Sequence, residues 1–200
     1  MTQRQAYLVQ TILEAAIPVL GYFFWHWDLS FLLLFYLLDW LLAFGVLIAK
    51  GNKRIAFLGN NTEKPVFIRH LLTATFTLTA TCVLTGTGVT LLHPGLNWWQ
   101  RTIEFMTYED MGVSQGLFLI PLMILNGYLV YKQQFLIPAR YRTLQVSEMM
   151  QPFLRQGWIL LAASGLLLAS AALIRYPEEI VIALLIAGTS AYRWLVLRSH

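Results

Sequence analysis

Apolar residues run along this chain in long unbroken stretches, with short polar segments between them. A window of about 20 residues, enough to cross a bilayer core, picks out spans at 7–25, 30–48, 70–92, 116–136, 157–174 and 180–197. Two polar segments are long. Lys50 to Arg69 carries Gly51-Asn52 and Gly59-Asn60-Asn61 as turn signals. Leu96 to Gln115 is too charged to span, but its Trp98, Trp99, Ile103, Phe105 and Met106 suit a segment lying along an interface. Pro138 stops the fourth span, Tyr141 to Gln156 reads as a short amphipathic connector, and Tyr176-Pro177 makes a tight return. No alternating ten-residue barrel pattern occurs, and hydrocarbon offers no partners to an open strand edge. The expected fold class is all-α: an integral membrane bundle of about six transmembrane helices, one polytopic domain over residues 1–200.

Composition agrees with that pattern. The chain is 58% hydrophobic and 12% charged, where soluble domains run near 25% charged. Its mean hydropathy is +0.60. Cys82 is the single cysteine and sits within an apolar run, so no intramolecular disulfide is open to it. The first span is interrupted by Glu14 and lacks a small-x-small cleavage site, which reads as a retained helix rather than a signal peptide.

The net charge of +4 implies topology rather than nucleic acid. With a cytoplasmic N-terminus, 12 of the 14 basic residues fall on inside segments. The outside turns keep only Arg101 and Arg175, beside Asp28, Glu104, Glu109, Asp110, Glu178 and Glu179. Both termini are therefore expected in the cytoplasm, and the protein in a cell membrane, a bacterial inner membrane, as a multi-pass chain. Trp25, Trp27, Trp98 and Trp99 are expected near the outer interface, Trp158 and Trp194 near the inner one, and Trp40 mid-span.

The candidate chemistry lies in the first hairpin. Glu14 precedes the Trp25-His26-Trp27-Asp28 turn, and Asp39 follows it at almost the same distance. At about 1.5 Å rise per residue, two antiparallel helices hold both acids at one depth, near the bilayer middle. A charge there costs about 2.5–3.5 kcal/mol, and two facing carboxyls cannot both ionise cheaply, so one is expected to hold a proton. Gln10, Glu14 and Pro18 share a stripe, and Pro18 leaves the Glu14 carbonyl without its usual donor. Tyr36 lies one turn before Asp39, and Asn126-Gly127 makes a second polar break in span four. Gln10, Glu14, Tyr36, Asp39 and Asn126 are thus the candidate ion, proton or substrate site. The plainer reading is a protonated carboxyl pair that ties helices together.

Other features point to packing. Thr73, Thr77 and Thr81 stack on span three, where hydroxyls can bond their own i−4 carbonyls. Small residues at Ala162 to Gly165, Ala169 to Ala172 and Gly188 to Ala191 make spans five and six suited to close approach, within the bundle or between protomers. His26, His70, His93 and His200 form no four-ligand pattern, and phosphate loops, serine elbows and zinc motifs are missing, so neither metal, cofactor nor enzymatic activity is expected.

The run Ile17-Pro18-Val19-Leu20-Gly21, Trp27-Asp28, Leu34-Phe35-Tyr36, Asp39-Trp40 and Lys50 resembles an uncharacterised family of small bacterial polytopic membrane proteins. Members look like Pro-x-x-Gly, a Trp at the hairpin turn, then Tyr-Trp-x-Glu. Here Leu37 replaces the usual Trp, and Asp39 stands where Glu would be. The resemblance covers the first hairpin and implies that its acid is a family-like feature; it implies no activity. Two functional readings follow from the residues. One is a small transporter or channel-like protein with a proton- or cation-responsive carboxylate pair. The other is a non-catalytic membrane subunit or scaffold that docks a copy of itself or a partner through spans five and six.

Overall fold

The structure is a computed structural model and describes residues 16–59, 62–107, 109–110, 113–173 and 177–198. Gln10 and Glu14 lie outside the described residues. The first helix, α1, is described over 16–24. It is followed by α2 (Leu29–Leu58), α3 (Lys64–Leu92), α4 (Trp98–Thr107), α5 (Gln115–Tyr131), α6 (Val146–Leu173) and α7 (Glu178–Arg198). A hairpin of two-residue strands, β1 (Glu109–Asp110) and β2 (Val113–Ser114), leads into α5. The regular structure among the described residues is otherwise helical, as the apolar pattern predicts. Among them three helices, α2, α3 and α6, are long and apolar enough to cross a membrane.

Their outer surfaces fit that solvent. Only 17% of the most apolar stretch of α6 is buried, and Phe23, Phe24, Phe76, Leu166 and Leu173 all face outward. In water such a surface would be an aggregation liability; in lipid it costs nothing.

The turn between α1 and α2 forms where the sequence puts it. Trp27 donates its N–H to Gly21 O at 2.9 Å, and His26 takes a left-handed φ of 51° to make the bend. Asp28 then caps α2, its Oδ1 accepting from Phe31 N–H at 3.0 Å and from Ser30 Oγ at 2.6 Å. Trp27 is 1% exposed and packs against Phe35 and Phe105. A Cβ on Gly21 would run into its indole, so that glycine is what admits the ring.

Two boundaries need correction. The Lys50 to Arg69 segment is not one polar loop. Gly51-Asn52 is no turn; α2 continues through it for 30 residues in all and ends at Gly59, whose φ of 63° closes the helix. Gly51 instead makes room for the Phe67 ring of α3. Likewise Tyr141 to Gln156 is mostly helix, because α6 starts at Val146. Its start is fixed by two carboxylates. Glu148 accepts from Gln145 N–H at 2.9 Å, and Glu63 accepts from Val146 N–H at 3.0 Å. Leu96 to Gln115, expected to lie along an interface, holds a short helix, α4.

The closest helix pair is α3 with α6. Thr77 meets Gly157, Thr85 meets Ser164 and Gly88 meets Leu168, a constant offset of 79 or 80 residues, so the two helices run parallel and in register. Phe67, Ala74, Thr81 and Gly88 are buried at seven-residue intervals, as are Met150, Gly157, Ser164 and Ala171. A period of seven keeps one seam facing its partner, and small side chains along it let the backbones close up. Of the stacked threonines, Thr73 bonds the carbonyl four residues back, Thr77 is fully buried and bonds the one three back, and only Thr81 leaves its buried hydroxyl without a partner among them; Thr75, Thr87 and Thr90 also bond carbonyls four residues back.

Candidate functional site

The opposite faces of these helices do not close up. Between α2, α5 and α7 on one side and the α3–α6 pair on the other lies an open-sided cavity of about 2520 Å³. Its α2 wall is a single helical stripe through Tyr36, Asp39, Ala43, Val46 and Lys50, spaced at three or four residues. At about 1.5 Å per residue the stripe is about 21 Å long. Asn126, Gly127 and Gln134 line the cavity from the α5 side, Gly188 and Thr189 from α7, and Thr81, Thr85 and Ser164 from the seam.

Three of the five sequence candidates therefore share this cavity: Tyr36, Asp39 and Asn126. All three are half-buried and engaged within the chain. The Tyr36 and Thr189 hydroxyls are hydrogen-bonded at 3.0 Å, which ties α2 to α7 at the depth of the acid. The other two candidates, Gln10 and Glu14, belong to residues outside the description, so the carboxylate pair rests on the helical spacing alone. Trp40 packs inside the bundle, tilted against Phe153 with a ring separation of 5.8 Å. Its indole N–H and the Thr81 hydroxyl are the buried side-chain polar atoms without a partner among the described residues.

One end of the cavity is a feature sequence reading missed. After α5 the chain makes a π-helical turn at Lys132–Leu136, then a left-handed Ala139 with φ 53°, then a 3₁₀ turn at Arg140–Arg142. A π turn and a non-glycine residue at positive φ are both uncommon, and both concentrate at functional sites. Arg54, 8% exposed, holds this segment in place. Its Nη1 donates to the Tyr141 and Arg142 carbonyls, each at 3.0 Å, and its Nη2 pairs with Glu63 at 2.8 Å. The same Glu63 caps α6, so one ion pair joins the end of α2, the start of α3 and the start of α6. The Arg54 guanidinium holds the Glu63 carboxyl below the usual carboxylate range, against the opposing effect of desolvation. Gln134, Phe135, Arg140 and Glu148 line the cavity here beside Lys50, whose ammonium lies 5.9 Å from the Phe135 ring. The legible signal was the α2 stripe itself, which leads from Asp39 to Lys50.

The far end of the bundle carries a separate polar cluster. Arg101 of α4 bridges Asp28 at 2.7 Å and Glu104 at 2.8 Å, above a second hollow of about 580 Å³ that also takes in His93 and Gln100. These groups satisfy one another and the α2 cap. Among the described residues no three His, Cys, Asp or Glu side chains converge as a metal site would require.

Comparison adds no relative. No family model, curated protein or solved structure matches the chain. Function is argued from the cavity.

Proposed function

We propose that this chain is a six-span membrane protein with both termini in the cytoplasm, and that it is a small transporter or channel-like protein. Its proton- or cation-responsive site is Asp39, paired with Glu14 from the first span, with Tyr36, Gln10 and Asn126 around them. The observation that carries this reading is the sharing of one large cavity by Tyr36, Asp39 and Asn126 from two different helices. An acid at membrane depth is expensive unless it faces a polar path or a partner, and intramembrane acids are on that ground functional candidates. The basic residues gather at the Arg54 end and the acidic ones at the Asp28 end, which supports the orientation.

The test is flux. Proteoliposomes loaded with a pH-sensitive dye and driven by a potassium gradient with valinomycin should acidify or alkalinise with the wild-type chain. Asp39→Asn should slow that response tenfold or more. Flux left unchanged by Glu14→Gln together with Asp39→Asn rules the reading out. The scaffold alternative draws on one observation: Leu166 and Leu173 of α6 and Ile180 and Leu184 of α7 are large apolar side chains left exposed. A detergent-solubilised chain that stays folded as a monomer and co-purifies with nothing would count against that alternative.

A further inference from the structure

The basic end of the cavity suits a particular kind of guest. Lys50 and Arg140 both line it, from α2 and from the 3₁₀ turn. Neither forms an ion pair among the described residues. The two cations repel each other, a cost that an anion seated between them would relieve. Glu148 lines the same end, but its carboxylate already accepts the Gln145 N–H at 2.9 Å. Away from this end the α2 wall is chiefly apolar, through Ala43, Val46 and Leu47. The arrangement is a charged head beside a greasy, partly open slot.

We propose that this cavity seats an anionic phospholipid, its phosphate held by Lys50 and Arg140 and its acyl chains lying along Ala43, Val46 and Leu47 of α2. Basic pockets between membrane helices on the cytoplasmic side bind anionic head groups for this reason, and that is the side this end occupies in the proposed orientation. Arg54 is a positioning residue here: by holding the Tyr141 and Arg142 carbonyls it fixes the turn that presents Arg140. The proposal rests on the membrane setting and not on an ion-responsive Asp39, so the two can fail separately.

The experiment uses the full chain purified in a neutral detergent, titrated with phosphatidylglycerol or with phosphatidylcholine of the same acyl chains, and read by native mass spectrometry and by thermal melting. Phosphatidylglycerol should bind at least tenfold tighter than phosphatidylcholine and raise Tm. Lys50→Gln with Arg140→Gln should abolish that preference, and Arg140→Gln alone, on a surface turn, should weaken it severalfold. Lys64→Gln with Arg69→Gln, at the same end but away from the cavity, should leave it unchanged. Equal binding of both lipids, or a preference that survives the Lys50 and Arg140 changes, overturns the proposal. So does an equal loss in the Lys64 and Arg69 control, which would mark general surface attraction. A Tm rise reproduced by inorganic phosphate alone would identify a free-anion site and overturn the lipid assignment.

Discussion

Gly157 and Gly188 are both glycines in apolar helices, and their surroundings are opposites. A Cβ on Gly157 would come within 2.7 Å of the Thr77 hydroxyl and 3.5 Å of the Trp40 ring. One on Gly188 would meet nothing within 4 Å. Gly157 belongs to the α3–α6 seam, where small residues on both helices line the contact, Gly157 against Thr77 and Ser164 against Thr85. Gly188 belongs to the cavity wall, where α7 is tied to α2 through the Tyr36–Thr189 hydrogen bond and open space is left beside it. Close approach between membrane helices is thus a property of two stripes, not one. Where only one helix offers small side chains, or where Tyr36 and Asp39 face it, space is left.

The largest effect should come from cutting the tie between the two regions. Arg54 joins the cavity's basic end to the start of the seam, and Arg54→Ala leaves Glu63 and two carbonyls without their donor. Removing one partner of a buried ion pair costs about 3–5 kcal/mol. Glu63 is partly exposed, so a loss of about 3 kcal/mol is expected in denaturant unfolding in detergent. The pH dependence has a definite sign. The Glu63 carboxyl is held below its ordinary value, so its contribution is complete above the unfolded glutamate pKa and is lost as pH falls through the lower folded value. Stability of the wild type should therefore fall on acidification below about pH 4.5, and Glu63→Gln should flatten that slope. An unchanged slope would show that other carboxylates dominate.

A matched substitution sharpens the contrast between seam and wall. Gly157→Leu should destabilise by about 1–3 kcal/mol, because the seam has no room to yield without separating α3 from α6. Gly188→Leu should change stability by less than about 0.5 kcal/mol, since the added side chain enters open space. Equal effects in a thermal melt would mean that the wall is closed by something at Gly188, as the scaffold alternative requires.

How much of this could be read beforehand depends on the range of the interaction. Hydropathy is local, so the apolar runs of α2, α3 and α6 and the Trp25 to Asp28 turn were legible. Depth is nearly as local, and the sequence already set Asp39 a helix-length from the turn. Gly51-Asn52 misled because glycine marks turns and close contacts alike. Only the Phe67 ring, on the next helix, decides which one it is. Arg54 looked like one of several topology-setting cations, and its role depends on carbonyls 87 and 88 residues away. Trp27 carries the residue type of an interfacial belt, yet Phe105 of α4 covers it. The cavity was invisible for the same cause: it is the space left by α3 and α6 closing on each other.

The smallest expected effect asks whether that space is wet. Thr85 and Ser164 hydroxyls meet at 2.8 Å across the seam, and Tyr36 and Thr189 meet at 3.0 Å across the wall. Hydrogen bonds between membrane helices average about 0.6 kcal/mol in double-mutant cycles. A cycle of Thr85→Val with Ser164→Ala, whose hydroxyls line the cavity from the seam side, should give about that value if the cavity is dry. A cycle of Tyr36→Phe with Thr189→Val should match it if acyl chains fill the cavity. With water in the cavity each single change is compensated, since water bonds the orphaned hydroxyl nearly as well as its partner did, and the coupling falls towards zero. A coupling near 0.6 kcal/mol at the wall therefore favours a lipid-filled slot, and one near zero favours a hydrated path past Asp39.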